Sequence, residues 1–243
     1  MAEVREVTNE GIERILVVSA HPDDVDFGVG GSIAAWTASG IDVAYCIVTD
    51  GEAGGNDLAM PREEMARIRR TEQTAAAATV GVTDLRFLAY PDGRLQPTIE
   101  LRRDISRVIR SVRPERVVCQ SPERIWERVY ASHPDHLAAG EATVAAVYPD
   151  ARNPFAHPEL LADGFEPWTV PELWLMAHPS VDVYVDTTDT VDKKIAALLC
   201  HASQIPDPPG LDQRMRDWGA MIAARCGLPE GRLAEAFKAI DAA

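Results

Sequence analysis

The chain has 243 residues, with 38 Asp and Glu against 24 Lys and Arg, a formal charge of −14. That length suits one large domain with a real core. The acidity excludes nucleic acid and anionic membrane surfaces as partners, because both are held by clustered cations.

The amino-terminal stretch MAEVREVTNEGIERI has no signal-like apolar run, and no segment is apolar for long enough to span a bilayer. RILVVSA (14–20) is a continuous β-branched run, the pattern of a strand buried on both faces. A short helix at 31–39 is predicted to end at Gly40, followed by a second buried strand, DVAYCIVTD (42–50). Pro61 opens a helix that stops at Gly81, and DLRFLAY (84–90) is a third strand. In the helix at 98–112, Ile105, Val108, Ile109 and Val112 share one face, while Arg102, Arg103, Arg107, Arg110 and Arg113 are expected on the solvated side. RVVCQS (116–121) is a fourth strand, and a helix is predicted from about His136 to Val147.

Residues 149–171 carry five prolines and no periodicity, and are expected to form a rim or lid that selects the substrate. Two more strands follow at 172–177 and 181–188, then helices at 190–201, 211–226 and 232–240. Four strand–helix alternations imply an α/β fold: one domain (1–243) with a Rossmann-like, mainly parallel sheet flanked by helices. The four cysteines, Cys46, Cys119, Cys200 and Cys226, have no CxxC spacing. Reduced thiols and a cytoplasmic enzyme are therefore expected.

In such a sheet, ligands bind beyond the carboxyl ends of the strands. His21-Pro22-Asp23-Asp24 follows the first strand, Asp50-Gly51-Glu52 the second and Asp92-Gly93 the third; His133-Pro134-Asp135-His136 comes after the fourth and a loop. Two histidines and one carboxylate meet the needs of a hydrolytic metal centre with one open position, and a further carboxylate is left over as a base. The same residue types leave rivals. His21-x-Asp23 with His136 also fits the two-histidine, one-carboxylate set of a non-haem iron oxygenase, although those sites belong to antiparallel barrels. Gly28-Val29-Gly30-Gly31 begins a dinucleotide fingerprint, but its third glycine falls at Ile33. A non-catalytic sugar-binding protein is the third alternative. Trp126, Trp168 and Trp174 are aromatic candidates for a sugar face, with Trp174 better suited to the core.

HPDD and HPDH, with TDGEAGG (49–55), RRTEQTAAAATVGV (69–82), FLAYPDG (87–93), DKKIAALLCHASQ (192–204) and RLAEAF (232–237) between and after them, form an ordered set over nearly the whole chain. The set resembles the PIG-L/LmbE-like family of zinc-dependent N-acetylglucosaminyl deacetylases. The resemblance implies His21, Asp24 and His136 as ligands of Zn2+, with Fe2+ the alternative ion, and Asp23 as general base. It implies His133, in its protonated form, as the oxyanion stabiliser and as a candidate proton donor to the leaving amine. Asp135 is implied to orient a histidine, and Arg69 and Asp92 to hold sugar hydroxyls. The expected substrate is a small-molecule acetamido-sugar conjugate; a homo-oligomer is left open. Two departures stand out. Val25 takes the place of an acid that many relatives carry after HPDD. Ala131 stands where some have a tyrosine, with Tyr130 one step away and outside the expected catalytic set.

Overall fold

A computed structural model describes residues 4–55 and 57–243, and only the backbone of Tyr130 and Ala131, so the neighbouring tyrosine weighed above lies outside the described side chains. The strands are β1 (Arg5–Glu6), β2 (Arg14–Ser19), β3 (Asp42–Thr49), β4 (Asp84–Tyr90), β5 (Arg116–Gln120), β6 (Glu172–Met176), β7 (Val183–Asp186) and β8 (Ala234–Asp241). They form one sheet in the order β1-β7-β8-β6-β5-β2-β3-β4. β4, β3, β2, β5 and β6 run parallel, and β8 runs antiparallel between β6 and β7. The helices are α1 (Asp24–Ala38), α2 (Arg62–Thr79), α3 (Ile99–Val112), α4 (Pro134–Ala145), α5 (Pro158–Ala162), α6 (Val191–Leu199) and α7 (Pro208–Arg225).

The unbroken apolar run of β2 serves both faces of the sheet. Ile15 and Val17 pack with Val29 and Ile33 of α1 and with Ala76 and Ala77 of α2. Leu16 and Val18 pack with Ile105 and Ile109 of α3 and with Ala139 and Ala142 of α4. A strand with period-two side chains and helices on both sides can have no polar face. Strand order reverses at β2, which has β3 on one side and β5 on the other. The crevice beyond the carboxyl ends of these strands is the switch point where α/β proteins bind ligands. HPDD leaves β2 there, and the chain from β5 returns there to start α4 with HPDH.

Four expectations need correction. The segment 232–240, expected to be helical from its Ala, Glu and Lys content, is strand β8. Between the open edges of β6 and β7 its backbone gains ladder partners on both sides, which outweighs a weak local propensity. α1 starts at Asp24 rather than near Gly31. Its glycines serve close packing: a Cβ on Gly31 would sit 2.8 Å from Thr187 Cγ2, and one on Gly28 2.5 Å from Met176 Sδ.

The stretch 149–171 is neither a rim nor a lid. α4 carries the chain back to the amino edge of the sheet, where Trp168 Nε1 donates to Pro114 O and Ala242 N donates to Pro171 O. Arg110 is not on a solvated face either. It is buried and donates to the carbonyls of Asp150, Ala151, Asn153, Ala156 and Phe165. Those carbonyls have no strand to pair with, and one guanidinium satisfies several at once. Trp168 is thereby placed opposite the candidate site, and Trp174 lies in the core against Trp36 and Phe237.

β8 is tied to α1 through buried Glu235, which accepts from Gly31 N (3.0 Å), Ser32 N (2.8 Å) and Ser32 Oγ (2.6 Å) and pairs with Lys194 Nζ at 2.6 Å. Glu235→Ala would leave the buried Lys194 ammonium, which also donates to Phe27 O at 2.7 Å, without its carboxylate. It should lower unfolding free energy by roughly 3–5 kcal/mol. Chemical denaturation checks this, and a loss within experimental scatter of zero would contradict it.

Candidate active site

His21, the first residue of HPDD, is gripped at both ring nitrogens. Its Nδ1 lies 3.2 Å from Asp24 Oδ2, and its Nε2 lies 3.1 Å from Asp92 Oδ1 and 3.3 Å from Asp135 Oδ2. The loop after β4 and the first turn of α4 bring the last two carboxylates in. Asp92 also accepts from Ala53 N (2.9 Å), and Asp135 accepts from Gly93 N (2.7 Å) and Leu95 N (3.2 Å). Glu52 accepts from Asp92 N at 2.8 Å and so fixes the loop from behind. Burial alone would lower the His21 pKa, but Asp24, Asp135 and Asp92 push it up to about 12. Burial would likewise raise Asp24, but His136 and His21 hold it well below the usual carboxylate range.

Asp24 joins the two motifs. Its second oxygen, Oδ1, lies 3.0 Å from His136 Nε2. The rings of His21, His133 and His136 form a near-equilateral triangle, with centroids 5.1, 5.2 and 5.3 Å apart.

Asp23 sits beside this group in a left-handed conformation, φ 80°, which Asp tolerates better than most residues at a cost of about 1 kcal/mol or more. Three contacts hold it. Its N donates to Gln73 Oε1 (2.7 Å), its Oδ2 accepts from Arg69 Nη2 (3.1 Å), and the same Arg69 nitrogen donates to Pro22 O (2.6 Å). Gln73 is oriented in turn by Asp26 Oδ2 at 2.9 Å, which also lies 2.8 Å from His201 Nε2. Burial first, then Asp24, raises the Asp23 carboxyl against the pull of Arg69, to about 6.

His133 is the N-cap of α4, and its Nδ1 accepts from Asp135 N at 3.2 Å. An accepting Nδ1 in a neutral ring leaves Nε2 as the N–H. Burial, then His21 and His136, lowers its pKa. The cap hydrogen bond occupies Nδ1 and leaves Nε2 as the ring's unengaged nitrogen.

Among the described residues two groups could hold a metal ion: His21 with His133 and His136, and His21 with Asp92 and Asp135. The second is buried, and its carboxylates also accept backbone amides. The side of Asp24, His133 and His136 is the more open one, as a catalytic ion with a free position requires. The donor set fits a cation: lone pairs of two imidazoles and a carboxylate converge at about 3 Å. The acids around His21 demand a positive charge that a divalent ion supplies as well as a proton does.

The structure therefore brings Asp23, Asp24, Asp92, His21, His133, Asp135 and His136 together. The two residues expected to hold sugar hydroxyls, Arg69 and Asp92, make contacts within the protein. Arg69 is buried under Asp23, with Nη1 on Gly51 O (2.9 Å) and Nη2 on Pro22 and Asp23, so it braces the acid. Asp92 faces His21. Gln73 and Gln120 (whose Oε1 accepts from Ala20 N at 2.9 Å) escaped the sequence reading, whereas Asp26, an acid expected near the centre, lies beneath it on Gln73 and His201. Their trace was there for α2: Met65, Arg69 and Gln73 lie four residues apart on its buried stripe, so two polar residues occupy core positions.

Imidazoles and carboxylates around one point at the switch of a parallel sheet are the donor set that metal-assisted hydrolases use. The chain belongs to the PIG-L (GlcNAc-PI de-N-acetylase) family, whose model matches residues 16–147, a stretch that includes both histidine motifs. It is 34% identical to the diacetylchitobiose deacetylase of Thermococcus kodakarensis over 81% of this chain and 72% of that protein. It is 33% identical to a probable N-acetyl-alpha-D-glucosaminyl L-malate deacetylase 2 of Bacillus anthracis over 78% of this chain and 80% of that one. In structure it matches the N,N'-diacetylchitobiose deacetylase of Pyrococcus horikoshii with a TM-score of 0.88 at 28% identity, covering 96% and 86% of the two chains.

Arg69 holds the Asp23 pKa down. Arg69→Met should therefore move the acidic limb of the kcat/KM–pH profile to higher pH, because Asp23 would take its proton earlier as pH falls. An unmoved limb in a folded variant would contradict this placement.

Proposed function

We propose that this protein is a metal-dependent N-deacetylase acting on an N-acetylglucosaminyl-type small-molecule conjugate and releasing acetate and a free amine. The observation that carries the reading is Asp24 bridging His21 and His136, with the braced, base-like Asp23 next to it. His21, Asp24 and His136 would hold the ion. Their two nitrogens and one carboxylate suit Zn2+, with Fe2+ the alternative. When bound, such an ion polarises the acetyl carbonyl and lowers the pKa of water from 15.7 to about 7.

The remaining work falls to the chain. Asp23 takes the proton of the attacking water as the O–C bond forms; a carboxyl raised to about 6 is matched to that task near neutral pH. His133 offers its Nε2–H to the oxygen on which charge develops, and needs no net charge to do so. The tetrahedral carbon then collapses, the C–N bond breaks, and Asp23 returns its proton to the nitrogen. Asp135 and Asp92 keep His21 aimed, and Arg69 and Gln73 keep Asp23 in place. Among the described residues no helix is long and apolar enough to cross a membrane. The four cysteines are free thiols, which supports a cytoplasmic setting.

Metal-loaded protein should release acetate from at least one member of a panel of N-acetylglucosaminyl conjugates, and release from none would contradict the substrate class. Asp23→Asn should keep its metal while turnover falls at least about a hundredfold. His136→Ala should lose the metal, as read by elemental analysis after dialysis. Near-normal turnover in the first variant, or full occupancy in the second, would overturn the assignment.

A further inference from the structure

The candidate centre opens into a cavity of about 760 Å³ lined at one end by Asp24 and His136. That volume lies in the range (~300–1,000 Å³) that encloses a drug-sized ligand. Its far wall is α7, which presents Met215, Trp218 and Ile222, with Leu233, Phe27 and Met176 completing an apolar lining. α7 buries Leu211 and Met215 in a small core with Val191, Ile195 and Leu198, and leaves Trp218 half-buried over the cavity.

Arg128, Arg214 and Arg225 also line this space, in a chain whose net charge is −14. Arg214 Nη1 is engaged by Asp207 at 3.1 Å, whereas among the described residues no carboxylate pairs with Arg128 or Arg225. The Lys194 ammonium is closed off by Glu235. The stretch 149–171 lies at the opposite edge of the sheet, so the walls of this cavity are where the group beyond the sugar is selected.

We propose that the substrate is an acetamido sugar whose aglycone has an apolar body and an acidic end, the body lying against Trp218, Ile222 and Met176 and the acid facing Arg225 and Arg128. This rests on the deacetylase reading above. Because the cavity and the centre share Asp24 and His136, its occupant and the acetamido group fill one continuous space. A protein partner seated there would cover the centre, so the occupant is a substrate group. Apolar area removed from water supplies affinity, and the arginines fix the orientation.

The test uses metal-loaded protein and three glycosides of N-acetylglucosamine: methyl, nonyl and 8-carboxyoctyl. Calorimetry measures affinity, and acetate release is followed on the same compounds. The nonyl glycoside should bind at least about tenfold more tightly than the methyl, equivalent to ~1.4 kcal/mol, and the carboxyoctyl more tightly again. Trp218→Ala should erase the first gain. Arg225→Ala, at an exposed position ending α7, should erase the second. Equal affinity for methyl and carboxyoctyl glycosides would overturn the proposal, and nonyl binding as tightly as carboxyoctyl would remove its acidic half. Acetate release without any affinity gain would sink the aglycone assignment while leaving the deacetylase reading intact. Chain-dependent binding without release from any of the three would support the cavity assignment and count against the deacetylase reading.

Discussion

The site depends on one imidazole being held at both ring nitrogens. Asp92 and Asp135 take Nε2 of His21, and their own free lone pairs are occupied by amides of the loops after β3 and β4. Nδ1 is left facing Asp24, and through Asp24 it faces His136 on α4. Three separate connections of the chain thus converge on one ring. Without that grip, a histidine on a strand exit would sample several rotamers, and the converging lone pairs that suit a cation would not be preorganised. Asp23 sits beside this grip, and the polar layer beneath it, Arg69 and Gln73 with Asp26 and His201, keeps it in a strained conformation.

The two edges of the sheet have divided the work. At the carboxyl edge, the switch point between β3 and β5 around β2 opens a crevice, and both HPD motifs enter it. At the amino edge, the proline-rich stretch is locked by Arg110, Arg102 and Trp168. A long irregular segment there is a packing solution, paid for by side-chain donors to its carbonyls. The cavity at the carboxyl edge is walled instead by α7.

The parallel core was legible because β2, β3 and β5 are uninterrupted apolar runs, which only a sheet covered on both faces can bury. The site was legible because its histidines and acids cluster at strand exits. What stayed hidden was tertiary in origin. β8 reads as helix until the open edges of β6 and β7 are known. The glycines of α1 read as a loop until Thr187 and Met176 are seen pressing on them. Arg110 looks solvated until the carbonyls it satisfies are in place. The engagement of His133 Nδ1 follows from a cap hydrogen bond that no spacing encodes. Arg69 and Gln73, by contrast, had a usable signal in their four-residue spacing on a buried stripe.

The central claim is that Asp24 and His136 complete a metal site on the Nδ1 side of His21 while Asp92 and Asp135 only aim the ring. Anomalous diffraction at the zinc edge, from crystals grown with Zn2+, tests it most directly. The account predicts a single strong peak bounded by His21 Nδ1, Asp24 and His136, with Asp92 and Asp135 still on Nε2. A peak between His21 Nε2 and the carboxylates of Asp92 and Asp135 would contradict it.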